Sequence, residues 1–226
     1  MSHQANIARI RAVSNALKEL HNQVVFVGGA TVSLYADRAA PEVRATDDVD
    51  IVVEIISRAD YAALEEQLRK IGFKNDMEAK FLGRYLFPGI VLDVMPTDES
   101  ILGFSNRWYE AGFNRAQDID IDDLHTVKIF TAPYFIASKL EAFKNRGGGD
   151  GRMSSDFEDI VYVLENRRPV WEEMLSADTD VRDYLLGEFR ALSDNPYIEE
   201  WIDGHSSSYS PPSTYYILED MKNFIR

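Results

Sequence analysis

Residues 44–54 read RATDDVDIVVE, an acidic cluster that runs directly into β-branched aliphatic residues. β-Branched residues favour strands, and the side chains of a strand alternate between its two faces. We therefore expect Asp48 and Asp50 on one face of a strand. Two adjacent carboxylates at the start of a buried strand repel each other and lose hydration, and a divalent cation removes that cost. The same pattern also fits an acidic turn that leads into a core strand, so the flanking sequence has to decide.

The sequence before this stretch favours a phosphate site. Residues 24–27 read VVFV, which predicts a short buried strand, and Gly28-Gly29 follows before a helix-compatible segment. Glycines at a helix start present bare backbone N–H groups, which bind phosphate well. Gly-Gly is also common in tight turns, and that interpretation stays open.

The sequence after it supplies a third acid. Residues 90–95 read IVLDVM, a predicted strand with Asp93 at its centre, where an unpaired carboxylate is costly. If this strand lies beside the Asp48 strand, three carboxylates converge, and such a cluster can hold two metal ions. The alternative is that Asp93 is a polar residue on an edge strand. The later acidic run Asp118–Asp123 follows no Gly-Gly turn, so we interpret it as an edge strand with a solvated acidic face.

The rest of the chain predicts further elements around these motifs. Apolar periodicity predicts helices over residues 5–20 and 59–71, a short helix over 104–113, and helices from Pro133 onward. Strands are expected over residues 83–87 and 125–130, with a turn at Pro88-Gly89. A glycine-rich connection is predicted over Asn145–Ser154, and residues 139–152 around it carry four basic and two acidic side chains. Ser206–Ser213 is a predicted Ser/Pro-rich linker.

Composition excludes several classes of protein. The 226 residues are 45% hydrophobic and contain no cysteine, which excludes disulfides, thiolate metal sites and cysteine nucleophiles. We find no apolar run of about 18 residues and no signal-peptide pattern, so we expect a cytoplasmic protein that does not enter a membrane. The four histidines are scattered and show no metal-ligand spacing.

The net charge of −14 is concentrated toward the C-terminus. Residues 153–226 contain 16 acidic and 6 basic side chains, whereas residues 1–152 contain 22 and 18. Affinity for nucleic acid comes mainly from Lys and Arg contacts to phosphate. Any nucleic acid would therefore have to be bound locally, by a part of the chain other than the acidic third.

Several motifs together resemble the DNA polymerase beta-like nucleotidyltransferase superfamily. More closely, the chain is similar to the AbiEii-type nucleotidyltransferases, the toxin half of abortive-infection and toxin–antitoxin systems. The resemblance covers residues 24–164 and rests on five motifs: Val27-Gly28-Gly29, Arg44-x-Thr46-x-Asp48-Val49-Asp50, Leu92-Asp93-Val94, Ser138-Lys139-Leu140-Glu141-Ala142 and Ser155-Asp156-Phe157-Glu158-Asp159-Ile160.

The resemblance implies an α+β fold with a nucleotidyltransferase-type mixed β-sheet flanked by helices. It implies a catalytic domain over residues 1–131 and a helical domain over 132–226. Its implied ligand is Mg²⁺ or Mn²⁺ together with a nucleoside triphosphate. The implied catalytic residues are Asp48, Asp50, Asp93, Lys139 and Asp156, of which the first three would bind metal. The implied nucleotide-binding residues are Gly28, Gly29, Thr31, Arg44, Thr46 and Lys139.

Two departures from the superfamily pattern affect nucleotide choice. Gly-Ser is frequent where this chain has Gly28-Gly29, so one phosphate-binding hydroxyl is missing unless Thr31 or Ser33 supplies it. The separation between Gly29 and Asp48 is long, with an insertion around Ala39–Val43.

Three functions are compatible with the sequence. The first is transfer of a nucleoside monophosphate to RNA, such as a tRNA 3′ end, or to a protein, by a toxin that a cognate antitoxin would bind. The second is the same chemistry on a small hydroxyl compound such as an aminoglycoside-like antibiotic, which the acidic C-terminal third would attract. The third is a non-catalytic binding module. Three clustered acids argue against it, because without a bound cation their mutual repulsion would destabilise the fold.

Overall fold

A computed structural model describes residues 2–37, 43–55, 57–146, 148–206 and 213–226. The chain divides into two compact units, one formed by Met1–Leu34 and Glu42–Thr131 and the other by Tyr35–Pro41 and Ala132–Arg226. The predicted insertion at Ala39–Val43 and the predicted linker at Ser206–Ser213 lie outside the described residues, except for their terminal residues Val43, Ser206 and Ser213.

The first unit, the sheet unit, contains a mixed sheet, as the sequence predicts. In the described part of the chain this sheet has seven strands, in the order β3-β4-β5-β2-β1-β7-β6. The central strand β2 runs antiparallel to β1 and parallel to β5, while β1 runs parallel to β7. The strands are β1 Val24–Val27, β2 Asp48–Val53, β3 Lys74–Asn75, β4 Arg84–Phe87, β5 Ile90–Pro96, β6 Gln117–Asp122 and β7 His125–Ile129.

Helices flank this sheet. Helix α1 packs against β2 and β5, and α4 packs against β2. Helix α2 begins after Ser57, whose side chain accepts a hydrogen bond from the Asp60 backbone N–H, as expected of an N-cap. The helices of this unit are α1 Ser2–Leu17, α2 Arg58–Lys70, α3 Glu99–Leu102 and α4 Tyr109–Asn114, and a 3₁₀ helix spans Lys18–Gln23.

Strand order decides two of the open interpretations. β5 lies between β4 and β2, so the idea that Asp93 sits on an edge strand is wrong. β6 ends the sheet, so the prediction that the acidic run forms an edge strand is confirmed. Asp118 and Asp120 of that strand are exposed.

The segment after the glycine pair forms a 3₁₀ helix, Gly29–Tyr35, where the sequence suggested the start of a helix. Both the backbone N–H and the hydroxyl of Thr31 donate to the Gly28 carbonyl, at 3.2 Å and 2.9 Å. A bond from residue i+3 to residue i is characteristic of the tighter 3₁₀ turn.

The second unit, the helical unit, is built from packed amphipathic helices. Phe143, Phe157 and Trp201 form edge-on and tilted ring contacts in one cluster, and Trp171, Phe189 and Phe224 form another. No described helix of the chain is both long enough and apolar enough to cross a membrane. The helices are α5 Ala132–Arg146, α6 Ser155–Asn166, α7 Val170–Leu175, α8 Thr179–Ser193, α9 Ile198–His205 and α10 Ser213–Phe224.

We predict that Gly151→Ala destabilises the helical unit. A Cβ at Gly151 would lie 2.6 Å from two atoms of the Trp201 indole, which Phe143 and Phe157 hold in place. Overpacking of this kind costs about 1–3 kcal/mol. Chemical denaturation should show that loss, whereas Gly187→Ala within α8 meets open space and should gain roughly 0.5–1 kcal/mol. Equal effects of the two substitutions would contradict this account of the Trp201 cluster.

Candidate active site

Three acids lie side by side on the sheet unit. In the parallel pairing of β2 with β5, Asp50 lies opposite Asp93 and Asp48 lies opposite Val91. Asp48 and Asp50 share a face because they are two residues apart on one strand. The condition on which the convergence of the three acids depended, that the Asp93 strand lies beside the Asp48 strand, is therefore met. The Asp93 side chain is 7% exposed, whereas the Asp48 side chain is 37% exposed.

The glycine pair lies directly against this acidic face. Val27 pairs with Asp50 across β1 and β2, so the chain reaches Gly28 beside the Asp50 carboxylate. Gly28 has φ +74°, and a Cβ there would collide with Asp50 Oδ2 and lie 2.8 Å from its Cγ. A Cβ at Gly29 would collide with the Arg44 guanidinium and lie 2.9 Å from the Thr46 methyl group. Gly28 therefore requires glycine because of its positive φ and the adjacent Asp50 carboxylate, and the side chains of Arg44 and Thr46 occupy the space beside Gly29.

A buried asparagine holds the segment that leads to the acids. Asn6 of α1 is fully buried, and its Nδ2 donates to the Arg44 carbonyl at 3.2 Å. Its Oδ1 accepts from the backbone N–H and the hydroxyl of Thr46, at 3.3 Å and 3.4 Å. These hydrogen bonds from Asn6 hold the backbone of Arg44 and Thr46 in place. The sequence motifs do not include Asn6. It lies on the same face of α1 as Ile10, Val13 and Leu17, and a polar residue on such an apolar face indicates a buried hydrogen-bonding role.

Two hydroxyls follow the glycine pair. Thr31 is fully buried and its hydroxyl is bonded to the Gly28 carbonyl, so it shapes the turn. Ser33 is 8% exposed, and its Oγ is buried without a hydrogen-bond partner among the described residues. A buried polar atom of this kind is costly unless a further group completes its bonding.

Arg84 lies among the three acids. Its Nε donates to Asp93 Oδ1 at 2.7 Å, and its Nη2 donates to Asp93 Oδ2 at 2.6 Å and to Asp48 Oδ2 at 3.0 Å. The hydrogen bond to Asp93 raises the pKa of Arg84, and the charges of Asp93, Asp48 and Asp50 raise it further. The guanidinium therefore stays charged and neutralises part of the cluster.

The position of Arg84 could be predicted in part from the sequence, although none of the five motifs includes this residue. β4 and β5 are joined at Pro88-Gly89, and Phe87 pairs with Ile90. A two-residue connection sets the register of a hairpin, which places Arg84 opposite Asp93. From the turn alone Arg84 could have been paired with Asp93, whereas its contact with Asp48 depends on the position of β2 beside β5.

The donors fit a hard divalent cation by type, since Mg²⁺ prefers carboxylate oxygens and accepts one or two carboxylates with substrate phosphates. Asp48, Asp50 and Asp93 would hold such an ion. In the arrangement that the structure shows, however, no group of three or more acids or histidines within the described residues is spaced to hold a metal ion. Both carboxylate oxygens of Asp93 and one of Asp48 accept hydrogen bonds from Arg84 instead.

Lys139 and Asp156 lie in the helical unit, where Lys139 forms ion pairs with both Asp156 and Asp159. The Lys139 Nζ lies 3.1 Å from Asp156 Oδ1 and 2.7 Å from Asp159 Oδ2, and all three side chains are at least nine-tenths buried. Arg146 also donates to both oxygens of Asp156, at 2.7 Å and 2.8 Å. Burial raises the pKa of Asp156, but the hydrogen bond from Arg146 and the charge of Lys139 outweigh it and leave the pKa below its usual value.

A cavity of about 650 Å³ lies elsewhere in the sheet unit. It is bordered by Val24 and Val53, at the ends of β1 and β2 away from Gly28 and Asp50. None of the described residues that line it is a lysine or an arginine, and its acidic side chains are Glu54 and Asp60. Its chemistry is unsuited to phosphate, so the acidic face beside the glycine pair remains the candidate site.

Comparison with models of known protein families gives no match to this chain, and no curated protein matches it significantly.

Proposed function

We propose that this chain is a Mg²⁺-dependent nucleotidyltransferase that moves a nucleoside monophosphate from a nucleoside triphosphate to an acceptor hydroxyl. The observation that carries the proposal is the convergence of Asp48, Asp50 and Asp93 on one face, beside the Gly28-Gly29 turn. Three acids on adjacent strands repel one another and destabilise the fold, and bound cations that take part in phosphoryl transfer would remove that cost.

The reaction is an in-line displacement at the α-phosphorus. The acceptor hydroxyl releases its proton to solvent as its oxygen forms a bond to the α-phosphorus, the bond from that phosphorus to the bridging oxygen breaks, and pyrophosphate leaves. Bound magnesium would supply positive charge that stabilises the oxygens of the transition state. Gly28 and Gly29 would seat the phosphates at the start of the 3₁₀ helix, and Ser33 offers a hydroxyl nearby in sequence. Asp93 is the acid proposed to lie near the attacking hydroxyl.

The proposed acceptor is RNA or protein, and the proposed biological role is that of a toxin neutralised by an antitoxin. The acidic helical unit would suit a basic antitoxin. The same acidity favours a second candidate, transfer to a small cationic hydroxyl compound, because excess negative charge attracts cations and repels RNA.

Transfer of label from each α-labelled nucleoside triphosphate in the presence of Mg²⁺ tests the proposal. Total tRNA, cell protein and aminoglycosides serve as acceptors. We expect label on one acceptor class, and we expect Asp48→Ala to reduce it by about a hundredfold or more, as for the loss of a key electrostatic group. The matched control is Asp118→Ala, which removes an exposed acid from edge strand β6 and should keep full activity. Absence of transfer to every acceptor would favour a binding module.

A further inference from the structure

The guanidinium of Arg84 occupies the position that a cation between Asp48 and Asp93 would take. It binds Asp93 in a bidentate manner and reaches Asp48 with the same Nη2 that binds Asp93 Oδ2. Bidentate guanidinium–carboxylate pairs are among the strongest hydrogen-bonded pairs in proteins. Every oxygen of Asp93, and one oxygen of Asp48, is therefore already bonded to a positive charge.

The two partners differ in their freedom to separate. The Asp93 side chain is 7% exposed, so its charge needs a partner at all times. The Arg84 side chain is 32% exposed, and among the described residues the strand on the outer side of β4 is the two-residue β3. An arginine with a third of its surface in water can turn its head to solvent, because its hydration replaces the hydrogen bonds it gives up. Asp93 can exchange partners only if another cation replaces Arg84.

We propose that Arg84 is a built-in competitor for the divalent cation: it neutralises Asp93 and Asp48 until a metal ion binds and displaces it. The inference deepens the proposed function, since the metal in question is the one that nucleotidyl transfer needs. Arg84 is thus a positioning residue that sets the affinity for metal. It explains why three acids on adjacent strands are not arranged as a metal-binding group in this structure.

Titration with Mn²⁺ alone, with free Mn²⁺ measured by electron paramagnetic resonance, tests the competition directly. We expect Arg84→Met to bind Mn²⁺ on the order of tenfold to a hundredfold more tightly than the wild-type chain, because the metal ion no longer has to displace the charge-assisted hydrogen bonds that Arg84 makes to Asp93 and Asp48. Arg69→Met is the matched control, since it removes an arginine that binds Glu65 and Asn75, and it should leave the affinity unchanged. A purely structural role for Arg84 would destabilise the fold without any tightening of Mn²⁺ binding.

A second variant covers the case in which Arg84→Met does not fold without metal. Arg84→Lys keeps the positive charge, but an ammonium group cannot bind Asp93 in a bidentate manner and also reach Asp48. Its Mn²⁺ affinity should therefore lie between those of the wild-type chain and Arg84→Met. Recovery of the fold of Arg84→Met on addition of Mn²⁺, followed by circular dichroism, also supports displacement. Equal Mn²⁺ affinities of the wild-type chain and both Arg84 variants would overturn the inference.

The two proposals fail separately. If Arg84→Met tightens Mn²⁺ binding but no nucleotide is transferred, the competition stands and the nucleotidyltransferase proposal falls. If transfer occurs and the affinities are equal, the transferase stands and the role of Arg84 falls.

Discussion

Replacing Lys139 with methionine is expected to lower the free energy of unfolding of the helical unit by about 3–5 kcal/mol, the cost of breaking a buried ion pair from one side. The substitution removes the ammonium that lies between Asp156 and Asp159, whose side chains are 3% and 1% exposed. Methionine fills much of the same volume, so the loss reports the charge and not a cavity. Denaturation in urea at neutral pH measures it.

Lys144→Met is the matched control for this substitution. Lys144 lies on the same helix, but its side chain is 46% exposed and it pairs with Glu188 at 2.6 Å. A surface ion pair contributes about 0–1 kcal/mol, so this variant should be nearly neutral. If Lys139→Met costs no more than Lys144→Met, the buried cluster does not stabilise the unit as we argue.

The cost of losing Lys139 should depend on pH in a defined direction. The pKa of Asp156 is held below its usual value in the folded chain, so its pairing stabilises the fold above the unfolded pKa of about 4. That stabilisation is lost as the pH falls through the folded pKa. The difference in stability between the wild-type chain and the variant should therefore hold from neutral pH down to about pH 4 and should shrink as the pH falls below that value.

Replacing Gly28 with alanine should destabilise the sheet unit more than the same replacement at Gly89. Both glycines have φ +74°, so both variants pay the left-handed backbone cost of about 1–2 kcal/mol. A Cβ at Gly89 meets open space, whereas a Cβ at Gly28 collides with the Asp50 carboxylate. We expect the collision to add roughly 1–3 kcal/mol, the usual cost of overpacking. Thermal or urea denaturation of the two variants gives the difference directly.

Removing the carboxylate tests the assigned cause. In an Asp50→Ala background the closest contacts of the new Cβ disappear, so Gly28→Ala should cost little more than Gly89→Ala. A double-mutant cycle between positions 28 and 50 then gives a clear coupling energy. Additive effects of the two substitutions would show that Asp50 is not what excludes a side chain at position 28.

The sequence alone predicted the parts of this protein that depend on local periodicity. The alternation of acids and aliphatic residues placed Asp48 and Asp50 on one face of a strand, and the Pro88-Gly89 turn separated two strands at the observed positions. Successive side chains of a strand point to opposite faces because the backbone is pleated, so their direction depends on local backbone geometry. Such features need no information from distant parts of the chain.

Tertiary structure decided what depends on pairing between distant segments. The order of the strands showed that β2 lies between β1 and β5, which brings Asp93 and the glycine pair to Asp50 from opposite sides. The roles of Asn6 and Arg84 in the cluster also emerged there, because each acts across more than one strand or helix. Strand order is set by how the whole sheet buries its apolar faces, a sum over many residues that no single motif contains. The three acids and the pairing of Arg84 with Asp93 could therefore be predicted from the sequence, whereas the contact of Arg84 with Asp48 could not.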